Sequence, residues 1–288
     1  MRIESQKILN RTIYFAACVA LLFVTACARP SSHGASRYFS GKALELAIAS
    51  ETGDAKEIRR LMKDEGVNPD VEFSKRDGIP LLAWPLRAES VEGLRAMLEN
   101  GANPNARQTK QLQTRMYRQN NAMVYAAKME DPRYLSLLLD HGGDPNTRNS
   151  NNETLLFQAF ISGNQWQNIQ RLIEGGADVN LANRYRDDTV LSWYTKRGGF
   201  KHAYWLLEHG ADPTIKAGLF SDPVESQRQL MVEAIYWEIT SPDLLPWQKK
   251  CQEWLIARNI PRPPMPEHIR RKREAFKFPS KEEDIPLL

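Results

Sequence analysis

The groups in this 288-residue chain that could carry catalysis or hold a metal are five histidines, three cysteines and a few neighbouring carboxylates. They do not assemble. His141 and His209 each stand directly before a glycine, a position tied to helix termination, where a cation would favour the C-terminal dipole. His33, His202 and His268 are scattered, and no Cys/His spacing suits zinc. No glycine-rich phosphate loop or nucleophile elbow occurs. Asp187-Asp188, Asp222 and Asp243 are best explained as turn carboxylates. Cys251, among apolar residues at helical spacing, reads as a buried small hydrophobe. This inventory argues against an enzyme, and neither a cofactor nor a metal is expected.

What the chain repeats is a helix stop. Gly101–Asn105 reads Gly-Ala-Asn-Pro-Asn, and Gly142–Asn146, Gly176–Asn180 and Gly210–Thr214 are close variants. A degraded copy begins at Gly66, so the starting glycines are separated by 35, 41, 34 and 34 residues. Before each glycine runs an apolar stretch, spaced i, i+3, i+4 in the first four: Ile58, Leu61, Met62; Leu94, Met97, Leu98; Leu135, Leu138, Leu139; Ile169, Leu172, Ile173; and then Trp205, Leu206, Leu207. Glycine accepts the left-handed residue that ends a helix, and Asp/Asn-Pro-Asn is turn chemistry. Each unit therefore reads as helix, stop, turn and second helix. Thr154-Leu155-Leu156 with Ala159, Thr189-Val190-Leu191, and Met123 with Ala126-Ala127 mark the second helices.

This pattern resembles the ankyrin repeat, whose period is about 33 residues. Pro85, Tyr194 and the missing family histidine are departures from it. A generic all-helical solenoid is the alternative, although tetratricopeptide arrays of about 34 residues lack this stop. The resemblance implies an all-α ankyrin-repeat solenoid of about five divergent repeats over 41–260. Helices carrying Leu230, Ala234, Ile235 and Trp237, then Trp247, Cys251, Trp254, Leu255 and Ile256, would form its C-terminal cap. The long third interval places an extended hairpin at Ala106–Asn121. In the ankyrin family, partners bind the concave face of hairpin tips and first helices. Carried onto this chain, the tips are Phe73, Lys75 and Arg76; Arg107, Lys110, Arg115, Tyr117 and Arg118; Arg148 and Asn149; and Arg184, Tyr185 and Arg186. Arginine and tyrosine suit binding hot spots, and the basic tips imply an acidic protein surface as partner.

The chain ends suggest where this happens. Arg2, Lys7 and Arg11 precede an apolar run over Ile13–Val24, which closes on Val24-Thr25-Ala26-Cys27. This resembles a bacterial lipoprotein signal; an ordinary secretory peptide or an uncleaved anchor are the alternatives. The resemblance implies a signal peptide at 1–26 and a lipid anchor on Cys27. With Ala28 next, it implies an outer-membrane protein facing the periplasm. Residues 27–40 read as a flexible tether. Residues 261–288 read as a proline-rich basic tail, extended at first, that is either solvated, a strap on the cap, or an arm toward a partner or anionic lipid. The formal net charge of +4 is too mild for a nucleic-acid binder. The array also resembles ankyrin-type lipoproteins that serve as immunity proteins against type VI secretion lipase effectors. A scaffold for a resident periplasmic enzyme such as a catalase is the second reading, and a peptidoglycan-associated structural protein the third.

Overall fold

The computed structural model describes residues 34–74, 77–108, 120–183, 188–216 and 227–285. Among them are thirteen α-helices and no strands, only the isolated bridges Phe73↔Pro80 and Arg148↔Thr154. The helices come in pairs: α1 (Gly41–Thr52) with α2 (Ala55–Arg59), α3 (Trp84–Arg87) with α4 (Val91–Glu99), and α5 (Ala122–Ala126) with α6 (Arg133–Asp140). Next are α7 (Leu155–Ile161) with α8 (Trp166–Glu174), α9 (Val190–Thr195) with α10 (Phe200–Glu208), and α11 (Leu230–Trp237) with α12 (Leu245–Ile256); α13 (Glu267–Ala275) follows. First helices stack on first helices and second on second, so every pair touches only its neighbours. The five expected units and their capping pair are all present.

Local chemistry accounts for each start and stop. Asn121, Thr154 and Thr189 cap α5, α7 and α9 by accepting the backbone N–H three residues on. Pro85 falls in the first turn of a four-residue helix, where its missing N–H costs nothing. His141 and His209 end α6 and α10 through a ring contact of Nδ1 with the carbonyl four residues back, at 2.9 and 2.7 Å. The recurrent Asn does more than turn the chain. Asn105, Asn146 and Asn180 each accept the N–H of the next unit's Asp144, Asp178 or Asp212 at 2.8 Å. Each also donates to the next stop glycine's carbonyl, Gly142, Gly176 or Gly210. The motif is thus a side-chain ladder that fixes one repeat against the next. Its last copy ends in Thr214, which instead closes on its own Asp212 at 2.6 Å.

Two boundaries differ from expectation. The tether expected through Ser40 ends earlier, because Ala35–Arg37 forms a 3₁₀ turn and Phe39 is buried. Tyr38 and Phe39 lie 5.1 and 5.4 Å from the Trp84 ring, so two aromatic side chains outweigh the small-residue composition around them. At the other end, residues 261–266 are extended and then enter α13, forming the strap. Trp237 Nε1 donates to the Pro263 carbonyl at 2.9 Å, and buried Arg273 donates to the Trp237 and Pro279 carbonyls at 3.0 and 2.6 Å. Lys272 pairs with Glu238, Arg271 with Glu267, and Arg270 reaches the Ser280 carbonyl. Of the three readings the tail allowed, solvated end, strap or arm, the contacts of the basic run match the strap.

Candidate functional site: the face of the first helices

From α3 onward the first helix of each pair is the shorter, with 4, 5, 7, 6 and 8 residues against 9, 8, 9, 9 and 12. An ankyrin-repeat fold turns this shorter layer to its concave side. One position on them is exposed in every central unit. Lys128, Ile161 and Lys196 each lie seven residues beyond the N-cap of their helix, at Asn121, Thr154 and Thr189, and Arg87 lies seven beyond Pro80, the N-cap of the 3₁₀ turn Leu81–Ala83 that leads into α3. Arg197 follows, also exposed. Seven residues is about two helical turns, so the same face recurs from unit to unit. The row reads cation, cation, isoleucine, cation, cation.

Aromatic side chains floor this row and orient its charges. The Arg87 guanidinium stands 5.1 Å from the Tyr38 ring centroid and 5.7 Å from that of Trp84. Arg197 stands 5.1 Å over Phe160 and donates to the Trp193 carbonyl. Trp193 is wedged between Phe157 and Phe160, at 5.0 and 5.3 Å, and its Nε1 donates to Asp188 at 2.5 Å. Neighbouring atoms partly desolvate the Lys128 ammonium and draw its pKa below the ordinary lysine value, with Glu153 opposing. Glu153 already accepts from Asn149 Nδ2 at 2.7 Å and Gln158 Nε2 at 2.8 Å. Glu51 accepts from Trp84 Nε1 at 2.9 Å. A row of cations on an aromatic floor attracts carboxylates while offering apolar contact area, and Ile161, 53 % exposed, supplies an apolar anchor point at its centre.

The expected tip residues divide. Lys75, Arg76, Lys110, Arg115, Tyr117, Arg118, Arg184, Tyr185 and Arg186 lie outside the described residues. Phe73 is half-buried at the bridge to Pro80. Arg107 donates to the Arg148 carbonyl. Arg148 in turn donates to the Asn152, Asn183 and Ala182 carbonyls at 2.7, 3.1 and 2.8 Å. Asn149 is buried and accepts the N–H groups of Asn151 and Glu153. Arg107, Arg148 and Asn149 therefore brace successive turns. The inner row of Arg87, Lys128, Lys196 and Arg197 was not singled out from sequence, although counting seven from the Thr154 and Thr189 caps would have reached Ile161 at its centre and Lys196.

The remaining reactive groups are quiet. Cys251 is buried, burial pushes its thiol up to about 12, and its Sγ lies 3.6 Å from the Phe200 carbonyl. Among the described residues no three or more His, Cys, Asp or Glu side chains are placed to share a metal ion, and no helix is long and apolar enough to cross a membrane.

Comparison with known proteins agrees with this architecture. The family described as "Ankyrin repeats (3 copies)" matches residues 111–217. Protein PhlB of Serratia liquefaciens is 32 % identical over 145 residues, 50 % of this chain and 58 % of that protein. The putative ankyrin repeat protein FPV031 of fowlpox virus is 27 % identical over 147 residues, 51 % of this chain and 41 % of that protein. The chain thus spans only about half the length of the curated relatives it matches. Among solved structures, the ankyrin repeat domain of Bcl-3 superposes with a TM-score of 0.55 at 21 % identity, covering 73 % of this chain and 85 % of that one, a likeness of fold alone. Ankyrin repeats are typically non-catalytic modules that bind proteins. Paired helices, glycine stops and an asparagine ladder, set beside these matches, show that the described residues fold as an all-helical ankyrin-repeat domain.

Proposed function

We propose that this chain is a non-enzymatic binding protein whose concave face captures an acidic protein surface. The observation that carries the reading is the exposed row Arg87, Lys128, Lys196 and Arg197, interrupted only by Ile161. Opposite charge steers the encounter, and the aromatic floor supplies contact area once water is expelled. We propose further that residues 1–26 are removed and that lipid on Cys27 holds the protein at the outer membrane, facing the periplasm. Acyl chains contribute about 0.8 kcal/mol per buried methylene, so several chains suffice for a soluble domain. In that setting the partner is a toxic lipase effector of type VI secretion, and the protein acts as its immunity factor by covering the active-site mouth. Tethering raises its concentration at the surface a phospholipase attacks. Divergent repeats and the long third interval support a dedicated partner over general scaffolding. The alternative is a stabilising partner of a resident periplasmic enzyme such as a catalase.

The test is capture from envelope extracts with the intact protein and with a variant carrying Arg87→Glu and Lys196→Glu. One specific protein should be recovered by the first and lost with the second. Titration then decides its class: a lipase inhibited in one-to-one proportion supports immunity, whereas an unaffected or stabilised enzyme supports the alternative. Equal recovery by both forms removes this face as the site. Globomycin-sensitive processing and acylation of Cys27 test the anchor separately.

A further inference from the structure

On the outer face the early helices are covered by short-range ion pairs, Arg60 with Glu57 at 2.6 Å and Arg95 with Glu92 at 3.5 Å. Such pairs are what a solvated helix face ordinarily carries. The late helices carry one such pair, Arg171 with Glu174 of α8 at 3.3 Å, and rings beside it. Trp166 of α8 meets Trp205 of α10 edge-on at 5.4 Å, and Tyr204 of α10 lies 6.0 Å from Trp247 of α12. These half-buried rings wall a groove of about 370 Å³ between the three helices. Lys201 of α10 and Lys250 of α12 line it as well. Lys250 Nζ lies 4.3 Å over Trp247 and 5.5 Å over Tyr204, and neither lysine is ion-paired with a carboxylate among the described residues. Glu208 is the acid that borders the groove.

We propose that this groove is a second binding site, separate from the concave face, for a protein segment presenting one apolar side chain between carboxylates. The walls supply an apolar slot of side-chain size, and the two ammonium groups that line it complement carboxylates next to the apolar side chain. A lipid surface fits less well: its anchors project outward, whereas these rings are recessed and Glu208 would face anionic headgroups. The slot is small, so the expected dissociation constant for an isolated peptide is on the order of 0.1–1 mM.

The experiment follows the indole N–H signals of the ¹⁵N-labelled full-length protein as the blocked peptide Asp-Phe-Asp-Leu is added, with Lys-Phe-Lys-Leu as its charge-reversed counterpart. The expected result is saturable movement of the Trp166, Trp205 and Trp247 signals with the acidic peptide. The Trp84 signal should stay still. Lys250→Glu, a surface change that leaves the fold intact, should weaken this binding about tenfold and leave capture by the concave face unchanged. Trp247→Leu provides a second variant with the same expectation. No saturable movement, equal response to the basic peptide, or response only to phosphatidylglycerol vesicles would each overturn the assignment.

Discussion

Gly93 is not part of any repeat motif, yet its replacement by alanine is expected to harm the fold more than replacement of a stop glycine. It sits within α4, where alanine by itself would add about 1 kcal/mol of helix propensity. The neighbouring helix reverses that sign. A Cβ at Gly93 would fall 1.9 Å from the Ser50 carbonyl oxygen, 2.7 Å from its carbon and 2.8 Å from Ser90 Oγ. Carbon and oxygen in contact need roughly 3.3 Å, so α4 must retreat from α1 by more than an ångström. Overpacking of this kind costs about 1–3 kcal/mol, and Ser90, which caps α4 by accepting the Gly93 N–H at 3.1 Å, adds about 1 kcal/mol when displaced. Because the obstacle is backbone, the packing cost falls at the upper end of its range, and after the propensity gain of about 1 kcal/mol the net is a loss of about 3 kcal/mol, or roughly 6–12 °C in Tm for a chain of this size. Gly176→Ala is the internal control. Its φ of +93° strains alanine, but nothing lies within 4 Å, so it should cost only about 1–2 kcal/mol. Urea and thermal unfolding followed by circular dichroism measure both. A Gly93→Ala protein as stable as the parent, or more stable than Gly176→Ala, refutes the close-approach argument.

Three further outcomes follow from the same contacts. Asn146→Ala removes the bonds to Asp178 N–H and the Gly176 carbonyl and should cost about 1–2 kcal/mol in urea unfolding, while Asn146→Asp, which keeps the acceptor, should cost less; equal loss by both would undo the ladder. Burial, with Lys201 adding to it, lowers the His202 pKa below its ordinary value of 6.5. The unfolded chain therefore binds this proton more readily: stability is complete above about pH 6.5 and declines as pH falls toward the folded pKa, and a His202→Phe protein should show a shallower acid decline in Tm. Truncation after Ile260 uncovers Trp237 and deletes buried Met265 and Ile269, each worth roughly 1.5–3 kcal/mol, so a Tm unchanged by truncation would show the strap to be idle.

The helix pairs were legible because their signals are local. An apolar stripe, a glycine that must turn left-handed and a proline that forbids continuation act within a dozen residues, and all five stops stand where the spacing put them. What the stops do for one another was not legible. The partner of Asn146 lies 30 residues on at Gly176, and only three-dimensional stacking shows that the motif's last residue is a bridge. The strap is a similar case. Proline density over 261–266 correctly denied a helix there, but composition holds no record that Trp237 is waiting for the Pro263 carbonyl.

Arginine at a turn looks the same in sequence whether it faces a partner or the adjacent turn. Arg148 has three backbone carbonyls of its own loop and the next within reach, so its fork is satisfied before any partner arrives. Arg87 and Arg197 have aromatic faces beneath them and solvent above, and their charge is therefore still available at the surface. The same guanidinium chemistry thus serves rigidity on the hairpins, while on the helices it stays available for the recognition proposed above. Rigid hairpins matter to recognition because they fix the spacing of the row: if one unit slid against the next, the cations at Arg87, Lys128 and Lys196 would lose their common register. Replacing Arg148 should accordingly weaken partner capture through misalignment while leaving every cation of the row in place, an effect that restored stability, and not restored charge, would reverse.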